Sequence, residues 1–196
     1  MKLDDGTGAG YSVKVNKNKE AHVYAVTTTN AEYANDQGDA YNINTGLITL
    51  TNAVDTPVLY IKNNETRNLH VTAEVFGIKT SAGGTATETV DVTVIRNPTG
   101  GTTISNANDV DIKSNRNYGS PKTLSADAYK GATGETMTGG EDHLLVISPD
   151  FSRVFASIDE IIPQGKTIGV KIKPPTSNTS MPVYVAAICH LNDANR

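Results

Sequence analysis

The chain has 196 residues, of which 37% are hydrophobic and 19% are charged, and its formal net charge at pH 7 is −4. This length predicts one domain with one core, and a composition rich in Thr, Asn, Ser and Gly favours strands and turns over helices. The acidic balance argues against a nucleic-acid partner, and no stretch approaches the ~20 apolar residues of a membrane helix, so we expect neither nucleic acid nor membrane as a partner.

The first notable stretch is GTGAG, residues 6–10. A phosphate-binding glycine loop needs a buried strand before the glycines and a helix after them. Only five residues precede this stretch, and the residues after it alternate with a period of two. We therefore do not expect a phosphate loop here. Residues 1–5 also lack the apolar stretch of a signal peptide, which predicts a soluble chain made in the cytoplasm.

Period-two alternation of apolar and polar residues predicts strands along most of the chain. Val13 and Val15 alternate before the polar turn NKNKE, and Ala21, Val23 and Ala25 alternate after it, which predicts a hairpin. The later predicted strands, in chain order, lie in GLITLTN (46–52), PVLYIKN (57–63), RNLHVTAEVFGIK (67–79), ETVDVTVIRN (88–97), DVDIK (109–113), TIGVKIKP (167–174) and VYVAAICHL (183–191). HLLVIS (143–148) and RVFASI (153–158) supply shorter apolar runs.

These segments amount to eight to ten short strands, which is typical of an all-β sandwich or barrel. Inward-facing sets are predicted at Leu69, Val71, Ala73 and Val75, at Val90, Val92 and Val94, at Val110 and Ile112, and at Ile168, Val170 and Ile172. No stretch carries a helical stripe. SADAY (125–129) and FSRVFASIDEII (151–162) could each form a turn or two of helix.

Residues 97–140 contain too many glycines and prolines for long strands. We expect extended loops there, with one or two short strands, projecting from the body. Two interpretations stay open: the loops connect Greek-key strands, or they contact other subunits or surfaces.

No set of residues predicts catalysis or a metal site. The sequence GGEDH places Glu141, Asp142 and His143 together, but three adjacent side chains on an extended chain point to opposite faces, so a cation site would need further ligands. The four histidines are scattered and have no metal-binding spacing, so we expect structural roles for them: His22, His70, His143 and His190.

Three further candidates are also weak. NANDVDIKSN offers Asn106, Asn108, Asp109 and Asp111, but it lacks the glycine and the distal glutamate of a calcium loop. Ser148 has no glycine-flanked elbow, so no hydrolase nucleophile is predicted. Cys189 is the single cysteine and lies in an apolar run, which predicts a small buried hydrophobic residue.

The chain has no tryptophan, and only 6% of its residues are aromatic. This counts against a sugar-binding surface, because sugar rings generally stack on exposed aromatic faces. It does not exclude one, since four tyrosines lie in turn-like sequence: Tyr11, Tyr33, Tyr41 and Tyr118.

The stretch DGTGAGYSVKVN (5–16) resembles the N-terminal arm of tailed-bacteriophage virion proteins, where such an arm precedes a short hairpin and a jelly-roll-like body. Two later segments resemble the same proteins. VLYIKNNETRNLHVTAEVFG (58–77) is similar to the strand–turn–strand after the arm, and IIPQGKTIGVKIKPP (161–175) is similar to the penultimate strand with its preceding turn.

The resemblance implies a non-enzymatic capsid decoration or head auxiliary protein, assembled in the host cytoplasm and located on the virion. It implies an arm and hairpin at 1–26 and a jelly-roll-like sandwich at 27–196, with no cofactor. The implied partner is the major capsid protein or another virion protein, and a homotrimer is the implied oligomer. The arm residues expected to bind the partner are Asp4, Asp5, Gly6, Thr7, Gly8, Gly10 and Tyr11.

Two alternatives of other classes stay open. One is an adhesin module at a fibre or neck that binds host glycan through residues 97–140. The other is a jelly-roll hydrolase or isomerase, for which the sequence offers no catalytic group.

Overall fold

The computed structural model describes residues 29–51, 54–78, 89–105, 113–147, 153–156, 158–176 and 180–192, with the backbone alone at 73, 75–78, 105, 143–147 and 153–156. The expected arm and hairpin at 1–26 lie outside the described residues. The expected inward pair Val110 and Ile112 lies outside them as well.

The described chain forms two short helices and twelve strands. In chain order these are α1 (Asn30–Asp36), β1 (Ala40–Asn44), β2 (Ile48–Leu50), β3 (Thr56–Asn63), β4 (Asn68–Ile78), β5 (Val90–Arg96), α2 (Thr102–Ser105), β6 (Lys113–Asn115), β7 (Ala126–Tyr129), β8 (Glu141–Ile147), β9 (Arg153–Ala156), β10 (Glu160–Ile162), β11 (Thr167–Lys173) and β12 (Met181–Asn192).

The strands form two antiparallel sheets. Sheet A has the order β10-β4-β12-β1-β6, with β9 also paired to β4 and β2 also paired to β12. Sheet B has the order β7-β3-β11-β5-β8. Buried apolar residues from both sheets form one cluster between them. The prediction of an all-β antiparallel sandwich is therefore confirmed.

The predicted alternation is confirmed most clearly on two strands of sheet B. Val90, Val92 and Val94 of β5 are buried, as are the three expected inward residues of β11, Ile168, Val170 and Ile172. Full burial of an aliphatic side chain of this size contributes roughly 1.5–3 kcal/mol, so these rows are a large part of what holds the sheets together.

The alternation expected for β4 is interrupted by a β-bulge. The pairing with β12 passes from Val71 opposite Cys189 directly to Ala73 opposite Ile188, so Thr72 is the extra residue. Beyond the bulge Glu74 lies opposite the core residue Ala187. The prediction of an unbroken inward row through Ala73 and Val75 missed this shift, which brings a carboxyl group into the core.

Within residues 97–140, the two segments 99–103 and 136–138 pack on the sandwich rather than project from it. Residues 99–103 bond to residues 136–138, for example from Thr99 N to Thr138 O at 3.0 Å and from Thr103 N to Thr136 O at 3.2 Å. Met137 is buried in a second apolar cluster with Tyr60 and Ile95 of sheet B. These residues therefore cover part of the outer face of sheet B, because the apolar side chains on that face are more stable when they are shielded from water.

Local structure differs from the sequence prediction in three places. SADAY contains strand β7, and the described residues of FSRVFASIDEII contain β9 and β10, so the helical turns considered there are not found in the described residues. Conversely, α1 was not predicted. It begins with a capping box, in which the Thr29 side chain accepts from the Glu32 backbone and the Glu32 carboxylate accepts from the Thr29 backbone.

Candidate functional site

The seven residues expected to form the partner-binding arm, Asp4 to Tyr11, lie outside the described residues. Within the described chain, titratable side chains gather around the short strand β10. We call this group the β10 edge; it comprises His70, Glu74, Arg96, Asp159, Glu160 and His190.

The position of β10 follows from its pairing with β4. Glu160 lies opposite Val71, Ile161 opposite His70, and Ile162 opposite Leu69. Because strand side chains alternate, Glu160 and Ile162 point to the core side and Ile161 points to the outer face, where it is 54% exposed. One short strand thus supplies groups to both faces of sheet A.

An ion pair on the core side connects the two sheets. Arg96, the last residue of β5 in sheet B, donates from Nε to both carboxylate oxygens of Glu160, at 3.1 and 3.0 Å, and its Nη2 donates to the same group. The hydrogen bond to Glu160 raises the pKa of Arg96 above its ordinary value. A groove of about 180 Å³ lies beside the pair and is also lined by Lys166, Thr167 and Ile161.

Glu74 lies next to this pair inside the sandwich. It is fully buried, and neither of its carboxylate oxygens has a hydrogen-bond partner in the described part of the chain. Desolvation by burial, followed by the negative charge of Glu160, raises the pKa of Glu74 to about 8. The carboxyl group is therefore mostly protonated at neutral pH, because the charged form is expensive in an apolar interior.

Two histidines that are distant in sequence meet on the outer face of sheet A. His70 of β4 lies opposite His190 of β12, with ring centroids 4.9 Å apart and ring planes inclined by 55°. His70 Nε2 lies 2.8 Å from Asp159 Oδ1. The other ring nitrogen of His70, Nδ1, and His190 Nε2 are both buried and have no hydrogen-bond partner among the described residues.

The surroundings of His190 disfavour its charged form. Desolvation lowers its pKa below the ordinary value, and the neighbouring charges of His70 and Arg116 lower it further, whereas Asp159 raises it. In the part of the chain that the structure describes, no three His, Cys, Asp or Glu side chains are placed to hold a metal ion. What His190 can do chemically is take up a proton at acid pH.

The remaining predicted candidates fall into three groups. Cys189 is free and buried, its thiol donates to Tyr41 O at 3.5 Å, and burial raises its pKa to about 12, which confirms the expected buried residue. Glu141 and Asp142 are exposed on β8, and the side chain of His143 is not described. Ser148 and the calcium-like residues 106–111 lie outside the described residues.

The tyrosines considered for sugar stacking occupy different surroundings. Tyr41 is buried in β1 rather than exposed in a turn, which corrects that expectation. Tyr33 is half-buried on α1, and Tyr118 is fully exposed in the turn after β6. Tyr11 lies outside the described residues.

Comparison of the sequence with models of known protein families gives no match, and comparison with curated proteins gives none either. The helices in the described residues are too short and too polar to cross a lipid bilayer.

Proposed function

We propose that the chain is a non-enzymatic structural protein of a tailed-bacteriophage virion, a decoration or head auxiliary protein that binds the outer capsid surface. The observation that carries the proposal is the arm-like stretch DGTGAGYSVKVN at 5–16, followed by two further segments that resemble the same proteins. An all-β sandwich is the kind of body that the resemblance implies.

The arrangement of the two later segments supports this proposal. Residues 58–77 span β3, a turn and β4, and residues 161–175 span β10, a turn and β11, the penultimate described strand. Each segment crosses from one sheet to the other. The resemblance therefore covers two corresponding crossovers of the sandwich, which are structural elements and not loop tips.

The two crossovers also contact each other through Asn63, which is fully buried. Its Nδ2 donates to Arg67 O at 2.9 Å and to Ile162 O at 2.8 Å, and its backbone N–H donates to Lys166 O at 3.1 Å. A buried side-chain amide is stable only when its donors are satisfied, as they are here. The segments that carry the resemblance thus form one unit of the fold.

In this proposal the glycine-rich arm binds the capsid. Ordering glycines costs more conformational entropy than ordering other residues, so a partner surface is needed to fix them. An extended arm can bind by adding a strand to an exposed sheet edge, with main-chain hydrogen bonds giving the affinity. The sandwich then covers the capsid surface, and a homotrimer bridges neighbouring capsomers.

The test is deletion of residues 1–10. The truncated protein should keep its β-type circular dichroism spectrum, because this segment contributes few apolar side chains, but it should no longer sediment with phage heads. Full-length protein should appear in electron micrographs as density over the capsid lattice. A truncated protein that binds heads with unchanged affinity would refute the role of the arm, and density confined to the tail would refute the decoration role.

A second candidate function rests on Tyr118. This side chain is fully exposed within 97–140, and a flat exposed aromatic ring is the group on which sugars stack. A fibre or neck adhesin that binds host glycan would place density at the tail, and Tyr118→Ala would reduce binding to host cells. A decoration protein would show neither result.

A further inference from the structure

One row of residues crosses the outer face of sheet A at the level of His190. Ile161, His70, His190 and Ala40 lie side by side on β10, β4, β12 and β1. His190 is 3% exposed, and its Nε2 has no acceptor or donor among the described residues. A proton added to this ring would create a buried N–H group without a partner, which is costly.

The charges around His190 come from three directions. β4 places the His70 ring 4.9 Å away, and Asp159, just before β10, faces His70. On the other side, β1 contributes the uncharged Ala40, and Arg116 follows β6. His70 and Arg116 oppose a positive charge on His190, and Asp159 favours it. Among the described residues, no negative charge is found to compensate this repulsion on the β6 side of the row.

Strand β6 is a short element at one end of this row. It has three residues, lies at the edge of sheet A, and pairs only with β1 in the described sheet. Arg116 continues the ladder by donating its backbone N–H to Ala40 O at 2.9 Å. By contrast, the pairing between β4 and β12 joins ten pairs of residues. Side-chain hydrogen bonds from Lys113 to Ala126 O and from Asn115 to Gly38 O also hold β6. A positive charge on His190 would act on β6 rather than on β10, because Arg116 opposes that charge and Asp159 favours it.

On the opposite side of the row, the carboxylate of Asp159 faces His70. Asp159 has a φ of 49°, in the left-handed region that aspartate tolerates better than most residues. A positive charge on His190 is attracted by the negative charge of Asp159, so this charge does not oppose the pairing of β10 with β4. The expected response to acid is therefore directional.

We propose that His190 is an acid-responsive element of the fold: when its ring takes a proton, edge strand β6 separates from β1 while the rest of the sandwich stays folded. This inference is independent of the proposed virion role. The direction of the pH dependence follows from the lowered pKa of His190. The contribution of neutral His190 to the stability of the β6–β1 pairing is complete above the ordinary pKa near 6.5, and it is lost as the pH falls through the folded-state pKa.

Amide hydrogen exchange at pH 7.5 and pH 5, corrected for the intrinsic pH dependence of exchange, tests the proposal. Protection at residues 114–116 should fall severalfold at pH 5, because the form with β6 separated binds the His190 proton more tightly than the fully folded form does. Protection in β11 should not change. A loss that is uniform over both sheets, or one confined to β10, would overturn the proposal.

Three variants identify the responsible group. His190→Gln, which cannot take the charge, should abolish the acid response, and Arg116→Gln should reduce it by removing the opposing charge. His143→Gln, on β8 in sheet B, is the matched control and should leave the response intact. If His190→Gln does not fold, an NMR titration of the His190 ring in the wild-type protein tests the proposal instead. A titration midpoint at or above the ordinary value would overturn the proposal.

Discussion

At the scale of single residues, a carboxyl group lies in the core of the sandwich at Glu74. Its pKa is raised to about 8, so the folded state holds this proton over a pH range in which the unfolded chain releases it. The stabilisation is therefore complete below the ordinary pKa of 4.5 and is lost as the pH rises through about 8.

Glu74→Gln should remove this dependence, because glutamine keeps the size of the side chain and cannot ionise. As the pH rises from 5 to 8, the free energy of unfolding of the wild type should fall relative to that of the variant by up to ~1.4 kcal/mol per pH unit. Urea unfolding at pH 5, 6.5 and 8 measures the difference. Asp142→Asn, at an exposed carboxyl group, is the control; parallel curves for wild type and Glu74→Gln would contradict the assignment.

A second residue-scale prediction concerns Gly131, where sheet B approaches a loop closely. A Cβ atom at this position would overlap the carbonyl group of Pro57, which belongs to β3 and cannot move aside easily. Gly131→Ala should therefore destabilise the fold by roughly 1–3 kcal/mol, the usual range for overpacking. Gly119→Ala is the control, since a Cβ there meets only ordinary contacts. Equal urea midpoints for the two variants would refute the close approach.

At the scale of secondary-structure elements, α1 depends on its N-terminal cap. Thr29 Oγ1 accepts a hydrogen bond from the Glu32 backbone N–H at 3.2 Å, and the Glu32 carboxylate accepts one from the Thr29 backbone N–H at 2.8 Å. Thr29→Ala should cost about 1 kcal/mol of stability, the typical value for a lost cap. Thr123→Ala, at an exposed loop position, should cost much less. Thermal unfolding of both variants compares them, and an equal loss would argue against the capping role.

The elements also show what the sequence could predict. Strands β5 and β11 were predicted with their inward faces because their inward apolar residues recur at every second position and nothing interrupts the pairing of the two strands with each other. Helix α1 was missed because it has only 7 residues and so no helical stripe, although the Thr29–Glu32 spacing is a known helix-start pattern. The β10 edge could not be predicted, since a bulge and a strand register bring its members together.

At the scale of the whole molecule, the expected oligomer is a homotrimer, as the resemblance to phage virion proteins implies. Residues 99–103 and 136–138 pack on sheet B of their own chain, so we do not expect these residues to project toward another subunit. Multi-angle light scattering should give three times the chain mass of 20.8 kDa. A strict monomer at high concentration would count against a trimer in solution.

The central position of β12 in sheet A determines when the molecule can fold. Strand β12, the last described strand, lies between β4 and β1, and His190 pairs with Ala40 across 150 positions of chain. During synthesis, the edge of β1 and the edge of β4 that pair with β12 therefore stay unpaired until nearly all of the described chain has left the ribosome. Pairings between such distant residues make folding slow, in the range of milliseconds to seconds for comparable β-sandwiches. Until then the nascent chain exposes strand edges with which other chains can pair.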